Sequence, residues 1–439
     1  MMKGKEGCPQ EGTVQIENQC ARIHTRKYIY VQDANIRQVF LFFRQPAMRN
    51  KSNMTPTERR ASLSLAGIFG LRMLGMFIIL PVFALYAVQL PGGGNKTLVG
   101  LALGIYGLTQ ALLQIPLGWL SDRIGRKPVI IGGLLVFAMG SFVAAGAHTL
   151  NGIIVGRAIQ GAGAIAAVLI ALTADLTRPE NRTPAMAMIG VTIGLSFTAS
   201  MAFSPMLYPM IGVPGLFVLT GVLALTAIAV TRWVVPNPPN LVAMDRVSFG
   251  AVLSNVELLR LNLGIFVLHS SLMATFMVVP AALVQGGLAQ PDHWKFYIPV
   301  MIVSFILMVP PVAFAHGKWR KQVFLGALVV VLLSHFLMHF ALGKVWGTAI
   351  ALTVFFTGFN VLEASLPSLV TLVAPPNAKG TATGVYSTTQ FLGTFSGATF
   401  AGMLTQHFGS EVVPFFTAGI TFLWLVVAWP MNVNKPVVP

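Results

Sequence analysis

Three ionisable side chains, Arg72, Arg157 and Glu363, stand inside long apolar runs. A charged group centred in a hydrocarbon-embedded helix costs about 2.5–3.5 kcal/mol on insertion scales, so each must face a partner or a cavity. Glu363 is the one acid well inside such a run, with Asn360 and Pro367 at i−3 and i+4 on the same helix face. Ionisable groups so placed mark proton relays and substrate paths. Glu363 is therefore a candidate proton carrier; the plainer alternative is a buried acid paired with a base such as Arg72. Arg157 precedes Gln160, Gly161 and Ala164 at helical spacing, a small and partly polar face. It reads as a relay or substrate-facing group, or as a structural arginine bonded to carbonyls of the first span. Tyr106, Gln110 and Gln114 recur at i, i+4 and i+8 as one polar stripe, suited to interhelical hydrogen bonds or to cavity lining. His269 offers a titratable imidazole, or simply a satisfied helix histidine.

A second group of charges lies between runs. The segment from Gly118 to Lys127 holds Asp122, Arg123, Gly125, Arg126 and Lys127. No charge occurs between Lys96 and Gly118, or between Pro128 and Arg157. A short charged turn between two uncharged segments reads as a tight hairpin at a membrane surface.

The elements that position these residues follow from composition. The chain has 439 residues, 55% hydrophobic and 10% charged, with mean hydropathy +0.74. A soluble domain is about 25% charged, so lipid must serve as the solvent. Backbone groups in lipid must be satisfied within the segment, which dictates helices of about 20 residues. Such runs occur at 62–90, 97–117, 129–148, 150–173, 184–210, 214–235, 261–284, 295–315, 322–342, 345–373, 380–406 and 410–431. The fold class is thus all-α and polytopic: twelve transmembrane helices in two six-helix halves, 61–236 and 261–432. A Pro- and Asn-rich linker over 237–260 joins them, and 433–439 is a cytosolic tail. Residues 1–60 are polar and basic and read as a disordered cytosolic tail. Met54, just ahead of a basic flank and the first span, reads as a possible true start.

Charge placement sets the expected orientation. Of 29 Lys and Arg, Lys96, Lys295 and Lys344 fall on one side and Arg72 and Arg157 inside spans; all others fall on the opposite side. The positive-inside rule places that side, and both termini, in the cytoplasm. The net charge of +16 is then a topology signal and not a nucleic-acid footprint. The halves also echo each other. Pro179, Asn181 and Arg182 precede span five as Pro376, Asn377 and Lys379 precede span eleven, and His316 to Lys321 is a worn counterpart of the Gly118 turn. Two repeats around a midplane site is a transporter layout.

With these residues in view, the sequence resembles the major facilitator superfamily. Gly118, Leu120, Asp122, Arg123, Gly125, Arg126 and Lys127 match its loop-2/3 signature, and Ile154, Arg157, Gln160, Gly161 and Gly163 match the span-four signature of its proton-coupled drug antiporters. The stretches 55–81, 104–111 and 384–393 resemble the YajR-type branch in particular. Two departures stand out. Span five keeps Pro205 without the paired glycines of the antiporter signature, and the chain stops at Pro439, so the C-terminal soluble domain of that branch is not expected. The resemblance implies a latch in which Asp122 meets the start of span eleven and Arg126 bridges to Asp175 when the halves close on the cytoplasmic side. The plainer reading of these charges is that they flank spans and set topology.

The implied activity is secondary active transport: proton-coupled efflux of small amphipathic compounds, energised by the proton gradient, with no cofactor and no metal. An importer or facilitator of a small metabolite is the alternative, and a non-transporting sensor or scaffold is the reading from another class. An enzyme is not expected, because the eight histidines are scattered, and no P-loop pattern suggests an ATP pump. Cys8 and Cys20 lie outside every apolar run and fit no zinc or redox spacing. The expected partners are a small-molecule substrate, protons and membrane lipid, the expected state a monomer, and the expected location a bacterial inner membrane.

Overall fold

A computed structural model describes residues 54–237, 249–315, 319–375 and 378–431. The chain divides into units 1–53 and 54–439, and every described residue belongs to the second. The tail reading for 1–53, most of the linker, His316 to Lys318, Pro376 and Asn377, and 432–439 lie outside the described residues. The described residues form helices and no strand.

The helices run α1 Pro56–Phe77, α2 Leu80–Ala87, α3 Lys96–Ile124, α4 Arg126–Ala145, α5 Leu150–Ala162, α6 Ala166–Asp175, α7 Arg182–Trp233, α8 Phe249–Leu253, α9 Val256–Gln285, α10 His293–Phe314, α11 Arg320–Ala341, α12 Val345–Val373, α13 Lys379–Phe408 and α14 Val413–Ala428. Among the described residues, ten helical stretches are long and apolar enough to cross a membrane. Two differences from the twelve expected spans have physical causes. Spans five and six form one run, α7, interrupted only at Gly212, where φ is +63° and ψ −179°. That conformation is open essentially to glycine alone. Span eleven, α13, is absent from the ten because threonine, glycine and glutamine dilute its apolar residues. It lies against α3 on one side and α9 on another, so protein replaces lipid as its solvent.

Boundaries also shift. Thr55 and Glu58 form a reciprocal capping box that starts α1 at Pro56, so residues 56–60 belong to the first helix and not to a tail. Span one breaks at Ile78–Ile79, ahead of Pro81, and span four breaks over 163–165 around Gly163. The seventh span starts at Val256 under an Asn255 cap, inside the expected linker.

In the first half α1 packs on α7, α4 on α7 and α5, and α3 on α5. In the second, α9 packs on α13 and α14, α11 on α12 and α14, and α10 on α12. The halves meet through α3 with α13, α7 with α10 and α2 with α9. The contact is tight at the Lys96 end. Cβ atoms at Gly104 and Gly107 would lie 2.7 and 2.6 Å from the carbonyl oxygens of Phe395 and Phe391, and Gly100 approaches Ala398 and Gly402 as closely. Lys96 N donates to Gln406 Oε1 at 2.6 Å. Below this seal Phe197 bridges the halves, its ring centroid 5.1 Å from Phe77, 6.2 Å from Phe276 and 5.6 Å from Phe356. At the opposite end Gly118 on α3 and Gly380 and Gly384 on α13 have no neighbouring atoms where a Cβ would stand. The halves are therefore sealed at the Lys96 end of α3 and α13, and these glycines make no such close approach at the Gly118 end.

Candidate functional site: two buried polar clusters and a charged turn

In the first half, Arg72 of α1 is 1% exposed. Its Nη2 donates to the Tyr106 hydroxyl at 2.8 Å and to Gln110 Oε1. Gln110 Nε2 donates onward to Gln114 Oε1 at 3.3 Å. The stripe on α3 thus faces the arginine of α1. Arg157 is buried beside it, with its guanidinium 4.9 Å from the centre of the Tyr106 ring. Arg157 Nη1 donates to Gln160 Oε1 at 2.6 Å, and Nη2 to the Leu103 carbonyl at 3.3 Å. The carbonyl that holds it belongs to the second span, not the first as the structural alternative had it. Gln160 Nε2 donates to Ser141 Oγ at 2.8 Å, which ties α5 to α4. Gly161 lets α5 lie directly on α3 at Tyr106, where a side chain would collide.

In the second half, His269 of α9 is buried, and Gln390 Nε2 of α13 donates to its Nε2 at 2.8 Å. Glu363 and Asn360 share a face of α12. Glu363 Oε2 and Asn360 Nδ2 are buried without hydrogen-bond partners, as is the hydroxyl of Tyr386 on α13. Glu363 and Tyr386 stand on neighbouring helices, α12 and α13, that pack together. No ion pair joins Glu363 to Arg72 among the described residues. The two groups belong to different halves and have different neighbours, so the arginine–glutamate pairing considered above is not made. Tyr106 and Phe391 meet across the halves with ring centroids 6.5 Å apart.

The charged turn is held by its own half. Gly125, at φ +97°, joins α3 to α4 with almost no loop. Arg126 reaches Asp122 at 2.5 Å and Asp175, the last residue of α6, at 3.0 Å. It also donates to Ser121 Oγ at 2.6 Å. Arg123 stacks on Trp119 with 3.7 Å to the ring centre. Lys127 Nζ donates to the Val235 carbonyl at 2.6 Å and to Asn237 Oδ1 at 2.8 Å, capping the end of α7. Asp122 is half exposed and, among the described residues, makes no hydrogen bond or ion pair with the start of α13. The cross-half contact implied by the resemblance is not made among the described residues, in keeping with the open space beside Gly118, Gly380 and Gly384.

A second tie at this end went unread in the sequence. Glu58 is 6% exposed and accepts from Arg178 N at 2.9 Å, Arg178 Nε at 3.0 Å, Arg178 Nη2 at 3.1 Å and Asn181 Nδ2 at 3.2 Å. Besides capping α1, it binds the first helix to the loop after α6. The capping box was legible in the Thr55–Glu58 spacing; a partner 120 residues away was not. Among the described residues no group of three or more His, Cys, Asp or Glu side chains could hold a metal ion.

The comparisons with known proteins agree with this architecture. The sequence profile of the Major Facilitator Superfamily matches residues 65–398 and 298–438. The chain is 45% identical over 389 residues to the Inner membrane transport protein YajR of Escherichia coli K12, covering 87% of this chain and 86% of that protein. It is 27% identical over 375 residues to the Multidrug resistance protein MdtH of Aeromonas hydrophila, covering 81% and 91%. Among solved structures, a bacterial homologue of the human lysosomal transporter Spinster superposes with a TM-score of 0.72 at 13% identity, over 86% of this chain and 97% of that one, a likeness of fold. Membrane-length helices packed in two halves, the Gly118–Lys127 turn and a profile match over most of the sequence lead to one conclusion: this chain belongs to the Major Facilitator Superfamily, a family of membrane transporters and not of enzymes.

Proposed function

We propose that this transporter is a proton-coupled exporter of small amphipathic compounds working by alternating access, with the proton gradient as its energy source and no cofactor. The observation that carries the reading is Glu363. It is a half-buried acid on α12 whose Oε2 is buried and unpartnered, with no cation in ion-pair contact among the described residues. A carboxyl without a counter-ion can take up and release a proton without breaking a salt bridge. Asn360 shares its helix face, and α12 packs against α13, which carries Tyr386 and lies between the halves. Proton exchange there can therefore follow the movement of one half against the other. Asp122, Arg126 and Asp175 form the latch for the state closed at the Gly118 end, with Gly118, Arg123, Gly125 and Lys127 shaping and capping the turn. The MdtH relatives favour efflux, while the absence of the paired glycines of the span-five antiporter signature favours import or facilitation as the second reading. The protein acts as a monomer in a bacterial inner membrane, in contact with lipid and with both termini cytoplasmic.

The test is uptake and efflux in proteoliposomes under an imposed pH gradient, across a panel of compounds. The expected result is gradient-dependent flux in the wild type and loss of that dependence in Glu363→Gln. Equal gradient dependence in the variant refutes the role of Glu363, and no flux under any gradient refutes transport.

A further inference from the structure

The buried arginine of α1 has a consequence for the cargo. No ion pair involves Arg72 among the described residues, and only its Nη2 is engaged. Its Nε and Nη1 are buried with no hydrogen-bond partner. A guanidinium can only donate. Gln110 must therefore turn its oxygen toward Arg72, which commits its amide nitrogen to the next acceptor, Gln114 Oε1. Gln114 then ends the chain on Nε2, buried and unpartnered. Tyr106 accepts from Arg72 through its oxygen and keeps its own O–H to give away. The cation fixes the direction of every bond in the network, and every free end is a donor.

Tyr106, Gln110 and Gln114 are all fully buried. Buried donors are almost always paired in folded proteins, and leaving them unpaired is costly. Arg157 adds a second positive charge over the Tyr106 ring, and its own bonds are directed away to Gln160 and the Leu103 carbonyl. Two cations and four donor groups with no acid in ion-pair contact call for an anion rich in acceptor oxygens. The free Nε and Nη1 open on different edges of the guanidinium, so each offers an oxyanion oxygen a single charge-assisted bond.

We propose that Arg72, Tyr106, Gln110 and Gln114 form an oxyanion-binding subsite, and that the transported compound carries a carboxylate or a similar oxyanion. This rests on the transport reading above and names its substrate class. A cationic cargo, by contrast, would meet like charge and no acceptor here.

The test measures binding, apart from flux. The purified full chain in lipid nanodiscs is titrated with formate, acetate, benzoate and inorganic phosphate. Benzamide and benzylammonium serve as the neutral and cationic counterparts of benzoate, and the readouts are the thermal unfolding midpoint and intrinsic tryptophan fluorescence. At least one anion is expected to stabilise the protein saturably, and the two counterparts are not. Loss of one charge-assisted bond weakens such binding roughly tenfold. Gln114→Leu should do so, Arg72→Gln should abolish binding, and Arg72→Lys should restore part of it. If Arg72→Gln fails to fold, Gln114→Leu and Tyr106→Phe carry the test. The proposal is overturned if none of the anions binds, if benzylammonium stabilises as well as benzoate, or if the folded variants titrate like the wild type. Gradient-driven flux confined to uncharged or cationic compounds overturns the subsite and leaves transport standing. Anion binding lost in the variants, with no flux of any compound, upholds the subsite and overturns transport.

Discussion

Gly104→Ala tests how the halves seal. At this position on α3 a Cβ would stand 2.7 Å from the Phe395 carbonyl oxygen, 3.1 Å from its Cα and 3.2 Å from Thr399 Oγ1. Two of these three atoms are backbone of α13 and cannot rotate away. Ordinary contact begins at 3.4 Å, so α3 and α13 must part by about 0.7 Å at that point. Overpacking of this kind costs about 1–3 kcal/mol. The strain falls on the state closed at the Lys96 end, because the contact is what closes it. A differential of that size shifts a two-state equilibrium by roughly 5- to 150-fold. The assay is a spin-label distance between Gln89→Cys in the first half and His407→Cys in the second, with Cys8 and Cys20 replaced. Both labelled positions are exposed and lie at the sealed end. The variant should gain a population at longer distance. Gly67→Ala is the control, because a Cβ there meets nothing within 4 Å. An unchanged distance distribution in a folded Gly104→Ala protein would refute the argument that this contact closes that end.

Other perturbations read other parts of the structure. Asp122→Asn should abolish transport while the protein still reaches the membrane, because the latch, not the fold, loses its charge; normal flux in reconstituted variant would sink the latch. Glu58→Gln replaces a nearly buried carboxylate that accepts four hydrogen bonds from Arg178 and Asn181. The loss is felt at the nearly buried carboxylate, while the half-exposed Arg178 can turn to water and limits it. A lowered unfolding midpoint is expected, and an unchanged one would show the tie to be idle. Gly212→Ala forces a side chain into a φ of +63° and should destabilise the joint between spans five and six by about 1–3 kcal/mol, measurable by thermal unfolding against Gly190→Ala, where space is open.

Most of the helices could be read directly from hydropathy, and the exceptions are instructive. The run 380–406 was visible as a span although α13 falls outside the ten most apolar stretches. Its register as a helix showed in the sequence; its place between the halves, where polar residues are tolerated, did not. The break at Gly212 was legible only as a gap between two runs, since the glycine turns the chain without ending its helical hydrogen bonding for long. In the polar clusters the stripe on α3 and the lone charges stood out because ionisable groups are rare in hydrocarbon. Gln390, Ser141 and Tyr386 did not stand out, because serine, tyrosine and glutamine in a helix show no partner until a neighbour is placed against them.

Hydropathy and charge along the chain were enough to show that it crosses a membrane as helices, roughly where the crossings fall, that a charged turn joins the second and third, and that Arg72, Arg157 and Glu363 need a partner or a cavity. These follow from length, charge and spacing along one helix at a time. Which partners they take depends on how the helices pack. Arg72 meets the stripe of α3 and not Glu363, Arg157 takes a carbonyl of the second span, and Glu58 holds a loop 120 residues away. Helical periodicity fixes which residues share a face, but not which helix that face turns toward. That choice is made by close packing among all the helices together, where a glycine such as Gly161 admits a neighbour and any larger side chain would exclude it.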